Sequence, residues 1–141
     1  MSDLTGAQKR ALEASGCEVR TDMLTCCLYA VDASIYRVEP AAVAFPRSAV
    51  EAANVLRVAA ENGVEITPRG AGTGLVGGAL GSGLVVDFAR YNSRMSDCER
   101  DLQTVLVGAG VNVGVWLGVA DCTAAVWLIA AIAVSTTWVT A

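Results

Sequence analysis

The clearest periodic pattern in the chain lies between residues 48 and 63. Four apolar residues recur there at i, i+3, i+4 and i+7: Ala52, Val55, Leu56 and Ala59. Ser48 and Glu51 form a capping-box pair at the start, and Asn62-Gly63 supplies a stop at the end. The spacing predicts an amphipathic helix of about four turns.

Short apolar runs on both sides of this helix predict strands. Residues 41–45 (AAVAF) precede it and residues 64–67 follow it, so the three segments form a β-α-β unit with parallel strands. Residues 84–88 (LVVDF) predict a further strand, and 104–107 another. Near the start, Thr5 and Gln8 fit a second capping box, which predicts a short helix ending before Gly16. The pattern from 19 to 37 is too irregular to assign.

A glycine-rich segment, residues 68–83, separates two of the predicted strands. Seven of its residues are glycine, a density that is typical of backbone approaching a ligand or adopting unusual dihedral angles. Backbone N–H groups that line a concave turn bind phosphate oxygens. At about 1.5–3 kcal/mol each, three or four such hydrogen bonds would suffice for a pyrophosphate. The alternative is a long turn that binds no ligand.

Two familiar phosphate motifs fail here. Residues 72–77 read G-x-G-x-x-G, but a Rossmann site needs a helix directly afterwards, and here more glycines and a strand follow. A nucleotide-triphosphatase P-loop needs lysine after its last glycine, where this chain has Gly78; its one lysine is Lys9.

Composition excludes several classes of chemistry. The chain has no histidine, which removes Ser-His-Asp catalysis and histidine-ligated metals. Its net charge is −4 and its basic residues are scattered, so we expect no nucleic-acid partner. Five cysteines without a C-x-x-C pair suit a reducing, cytoplasmic location. The acidic residues at 97–101 lack calcium-loop spacing; they predict a solvated loop, and no metal site is expected.

The segment from 32 to 92 resembles the FAD-linked oxidases of the vanillyl-alcohol oxidase and para-cresol methylhydroxylase type. The matching residues are Asp32-Ala33-Ser34-x-Tyr36, Pro40-x-x-Val43-x-x-Pro46-x-Ser48, Pro68-Arg69-Gly70-Ala71-Gly72-Thr73-Gly74-Leu75-x-Gly77-Gly78 and Val85-Val86-Asp87. The Asp-x-Ser-x-Tyr segment resembles the subgroup that oxidises 2-hydroxy acids, such as D-lactate dehydrogenases and the flavin subunit of glycolate oxidase.

The resemblance implies an α+β fold: the first subdomain of a two-subdomain FAD-binding domain, with a small β-α-β-based sheet and packed helices. FAD is the implied cofactor, and a hydroxy acid would transfer hydride to its flavin. The implied cofactor-binding residues are Pro46, Pro68, Arg69, Gly70, Ala71, Gly72, Thr73, Gly74, Leu75, Gly77 and Gly78. Asp87 is either a ribose-binding carboxylate or a solvated strand end.

The resemblance is lost after Asn112. We therefore divide the chain into a lead-in (1–37), a partial FAD-binding domain (38–112) and an apolar tail (113–141). The tail contains one charged residue, Asp121. It is a shifted reading frame or truncated gene, a divergent core element, or a membrane segment. No catalytic residue can be named, and we expect the chain alone to be inactive. The alternative function is a small membrane-associated or interaction protein with a relic glycine loop.

Overall fold

A computed structural model of the chain describes residues 4–94 and 106–110. Within these residues the elements are α1 (Gly6–Glu13), β1 (Glu18–Arg20), α2 (Met23–Tyr29), β2 (Ala42–Phe45), α3 (Ala49–Glu61), β3 (Ile66–Arg69) and β4 (Leu84–Asp87). This small mixed sheet with packed helices confirms the predicted fold class. The predicted acidic loop (97–101), part of the strand predicted at 104–107, and the apolar tail lie outside the described residues.

Helices α1 and α3 begin where the capping patterns predict. The Oγ1 of Thr5 accepts a hydrogen bond from the Gln8 N–H at 3.3 Å, and the Oγ of Ser48 accepts one from the Glu51 N–H at 3.2 Å. Each bond satisfies a donor that has no partner inside its helix. Gly63, at φ +64°, follows the C-cap of α3 in the left-handed region that favours glycine.

The four strands form one sheet in the order β1-β2-β4-β3. Strand β1 pairs antiparallel with β2, while β2 and β3 both pair parallel with β4. The strands that flank α3 are therefore parallel, as predicted, but β4 lies between them. Strand β3 also begins later than predicted, because the N–H of Val64 still bonds to Ala59 O at the end of α3. As a result Pro68 and Arg69 belong to β3.

Both faces of the sheet are covered by helices, as the alternation of buried side chains in β2 and β4 shows. One face packs against α1 and α3 through Ala42, Ala44, Leu84 and Val86. The other face presents Val43, Phe45 and Val85, against which Tyr29 of α2 packs. Across the described residues, no helix is long and apolar enough to cross a membrane.

Candidate functional site

The three parallel strands end at one edge of the sheet, and the candidate site lies there. Residues 70–83, here called the glycine loop, connect the end of β3 to the start of β4. No helix or strand lies within the loop, which confirms that the G-x-G-x-x-G run is not a Rossmann motif. Gly72 and Gly77 adopt positive φ angles of +66° and +74°, so the backbone reverses locally at both positions.

Five glycines of the loop are required by the fold, because a Cβ there would collide with the protein. At Gly70 it would lie 2.8 Å from Ala109 O, at Gly72 2.8 Å from Arg69 Nη2, and at Gly77 2.9 Å from Tyr36 Cδ2. At Gly81 and Gly83 it would overlap Thr67 Oγ1 and Glu65 O. A ligand-free turn therefore accounts for these five positions.

Gly74 and Gly78 are different. A Cβ at either position would meet no described atom within 4 Å, and neither residue has a left-handed φ angle. Replacing glycine by alanine at such a position stabilises a protein by about 0.4–1 kcal/mol, because the unfolded chain loses freedom. The part of the protein that the structure describes thus gives no reason for glycine at 74 and 78. Close approach of a ligand to the backbone would give one.

The loop also presents unused hydrogen-bond donors. Among the bonds that join described residues, none is donated by a backbone N–H of residues 70–78. Loop carbonyls do accept bonds: Gly72 O from Ala33 N at 3.0 Å, and Gly77 O from Leu80 N at 3.1 Å. Residues 73–76 are exposed, Thr73 and Leu75 among them. Glycine-rich backbone whose N–H groups have no partner within residues 4–94 and 106–110 fits an anion such as a pyrophosphate.

A turn at residues 31–37, here called the 31–37 turn, holds the loop from one side. Asp32 Oδ1 accepts a hydrogen bond from Ser34 N at 2.8 Å, and Ser34 Oγ accepts one from Tyr36 N at 3.2 Å. The Tyr36 ring then contacts Gly77. The Asp-x-Ser-x-Tyr spacing is therefore two successive side-chain-to-backbone turns. The spacing of Asp32, Ser34 and Tyr36 is thus a sequence signal for this turn as well as part of the family resemblance.

The second carboxylate oxygen of Asp32 extends the site. Hydrogen bonds from Ser34 hold the pKa of this carboxyl below its usual range, so the group is charged at neutral pH. Its Oδ2 is buried and makes no hydrogen bond of good geometry among the described residues, although the backbone N–H of Ala79 lies near enough to the carboxylate to help lower its pKa. This oxygen can therefore accept a further hydrogen bond, for example from a hydroxyl group of a ligand.

The remaining predicted residues occupy distinct places. Pro46 is buried directly after β2, and β4 separates β2 from the strand that leads into the loop. Pro68 lies exposed in β3. The guanidinium of Arg69 donates to Val31 O at 3.0 Å and lies 5.0 Å from the centre of the Tyr29 ring. Arg69 is therefore already bound within the protein.

Asp87 at the end of β4 is not a solvated strand end. The residue is 4% exposed. One of its oxygens accepts hydrogen bonds from Ala89 N at 2.6 Å and Arg90 N at 3.3 Å, and the other accepts one from the Tyr29 hydroxyl. The solvated interpretation is wrong because α2 packs over this strand end and its tyrosine reaches the carboxylate.

Comparison with known proteins agrees with this geometry. The model of a family described as an FAD binding domain matches residues 40–116. The D-2-hydroxyglutarate dehydrogenases of Escherichia coli and Pantoea ananatis are 42% and 41% identical over 83 residues, which is 57% of this chain and 8% of each relative. The structure of BBE-like 1 from Physcomitrella patens superposes with a TM-score of 0.63 at 23% identity, covering 79% of this chain and 26% of its own.

Proposed function

Because the chain belongs to the FAD binding domain family, we propose that its glycine loop binds the pyrophosphate of FAD in an oxidoreductase acting on a 2-hydroxy acid. Gly74 and Gly78 support the first part, since no described atom would contact a Cβ at either position. The relatives named D-2-hydroxyglutarate dehydrogenase support the second part. Their substrate is a 2-hydroxy acid, which is the class that the Asp32 to Tyr36 segment implies.

The described residues would contribute binding and orientation. Backbone N–H groups of residues 70–78 would donate to the phosphate oxygens, and the buried Oδ2 of Asp32 would accept from a hydroxyl of the cofactor. When bound, the flavin supplies the hydride acceptor for oxidation of the hydroxy acid. The chain spans 8% of the length of the dehydrogenases it resembles. We therefore propose cofactor binding for this chain and assign it no catalytic residue.

The proposal is tested by Gly74→Val, with FAD affinity and thermal unfolding measured on the same protein. The new side chain would meet none of the described atoms, so we expect the stability to change by less than about 0.5 kcal/mol. FAD binding should weaken at least about 100-fold, because the side chain occupies the space that the phosphate needs and two hydrogen bonds would be lost.

Gly63→Ala is the matched control. Gly63 lies outside the loop at φ +64°, so alanine there should cost about 1–2 kcal/mol of stability and leave FAD affinity unchanged. Gly74→Val should thus lower FAD affinity without changing stability, and Gly63→Ala should lower stability without changing FAD affinity. If folded Gly74→Val binds FAD as tightly as the unchanged chain does, the pyrophosphate-loop proposal is wrong.

A further inference from the structure

We infer that Arg69 is a positioning residue: it sets the shape of the glycine loop through Gly72 and does not contact the phosphates of FAD. The inference rests on the proposed function, because the loop is taken as the pyrophosphate site. It departs from what the sequence implies for Arg69, namely a side chain that binds the cofactor.

The guanidinium of Arg69 is held by α2 and the residues that follow it. Its Nη2 donates to Val31 O at 3.0 Å and its Nη1 donates to Tyr29 O at 3.4 Å. Tyr29 is the last residue of α2, where orphan carbonyl groups and the helix dipole favour a cation, and Val31 lies two residues beyond it. Arg69 thereby joins the end of β3 to the start of the 31–37 turn.

The ring beneath the guanidinium is itself fixed. The Tyr29 hydroxyl donates to the buried carboxylate of Asp87, and its ring meets Phe45 edge-on at 5.6 Å between centroids. Asp87 lies opposite Arg69 in the pairing of β3 with β4. The guanidinium, 5.0 Å from the ring centre, therefore lies over a ring that is itself held by a hydrogen bond and an aromatic contact.

The same guanidinium packs against the glycine loop. A Cβ at Gly72 would lie 2.8 Å from Nη2, 3.1 Å from Cζ and 3.3 Å from Nε of Arg69. Gly72 must therefore be glycine partly because Arg69 lies against it. Gly72 O in turn accepts the hydrogen bond from Ala33 N, so the backbone here is fixed from both sides. Removing Arg69 would release this part of the loop from α2.

Three variants separate positioning from direct phosphate contact. Lysine keeps the charge but lacks the planar fork that bonds two carbonyls and stacks on a ring. We therefore expect Arg69→Lys and Arg69→Ala to weaken FAD binding similarly, by about tenfold or more, the loss of one or two net hydrogen bonds. Tyr29→Leu should weaken FAD binding as well. The double variant Tyr29→Leu/Arg69→Ala should bind FAD less than about twofold more weakly than Tyr29→Leu alone, because the two residues act as one unit.

Arg57→Lys serves as the control, because Arg57 is an exposed α3 residue paired only with Glu61 among the described side chains; it should leave binding unchanged. If Tyr29→Leu does not fold, the two Arg69 variants decide alone: equal losses of affinity support positioning, and a loss confined to Arg69→Ala contradicts it. The inference is overturned if Arg69→Lys and Tyr29→Leu bind FAD normally while Arg69→Ala does not. That pattern would assign Arg69 to the phosphates.

A second measurement needs no cofactor and so separates this inference from the proposed function. Gly72→Ala is introduced into the unchanged chain and into Arg69→Ala, and the unfolding midpoints are compared. In the Arg69→Ala background the guanidinium is gone, and the positive φ angle of Gly72 remains as the source of strain for alanine. The unfolding midpoint should therefore fall less on Gly72→Ala in that background than in the unchanged chain. Equal falls would refute the Arg69–Gly72 contact. If the unchanged chain binds no FAD, the proposed function fails while this comparison still decides the contact.

Discussion

Cys17 lies in the core and is 6% exposed, and burial raises the pKa of its thiol to about 11 from an ordinary 9.0. The folded state therefore retains this proton more tightly than the unfolded state. Its contribution to stability is complete below pH 9 and is lost as the pH rises towards 11. The loss should reach about 2–3 kcal/mol, since each pKa unit corresponds to about 1.4 kcal/mol.

Urea unfolding from below pH 9 up to about pH 11 spans the ionisation of the thiol in the unfolded and the folded state and tests this prediction. Cys17→Ala should flatten the decline, whereas Cys27→Ala, at an exposed position, should not. Burial also raises the pKa of Tyr29, with the Asp87 contact adding to it, so a second loss is expected at higher pH. An unchanged slope in Cys17→Ala would count against the buried thiol as its source.

The roles of single glycines could be predicted only in part. Their density between 68 and 83 was enough to predict a phosphate-binding loop. It did not distinguish Gly74 from Gly81, because the need for glycine at 81 comes from Thr67 on β3, which only the folded chain brings alongside. The contact of Arg69 with Tyr29 could not be predicted for the same reason, because it joins residues forty positions apart in the chain.

Among the elements, β4 is one of the two interior strands of the sheet, and its side chains are buried throughout. Leu84→Ala should cost about 2–5 kcal/mol, because truncation leaves a cavity between the sheet and the helices of that face. Leu75 provides the matched control, since it is 74% exposed in the glycine loop. Leu75→Ala should change stability by less than about 0.5 kcal/mol. Denaturant unfolding of both variants measures the difference, and equal effects would contradict the assigned core.

Local signals explain which elements the sequence predicted. The starts of α1 and α3 are set by capping residues within three positions of each start, so a short stretch of sequence is enough to predict them. Strand β1 and helix α2 were left unassigned because their partners are distant: Val19 pairs with Ala44, and Tyr29 packs on Phe45. The position of β4 between β2 and β3 depends likewise on long-range pairing, which no periodicity encodes.

For the whole molecule, we predict that purified chain shows no turnover of D-2-hydroxyglutarate, D-lactate or glycolate, even when it binds FAD. The chain spans only 8% of the length of the dehydrogenases it resembles, so most of their length has no aligned counterpart to position a substrate. Dye reduction assayed with FAD added, alongside a complete dehydrogenase as positive control, measures this. Substrate-dependent reduction by this chain alone would refute the prediction.

The order of strands has a consequence for how the protein is made. Synthesis delivers β2, α3 and β3 before β4, yet β2 and β3 do not pair with each other. Until residues 84–87 leave the ribosome, both strands expose unpaired edges, and such edges invite pairing with other chains. The glycine loop is the segment made during that interval. The nascent chain therefore passes through an aggregation-prone stage whose length is set by the same residues that we propose bind the cofactor.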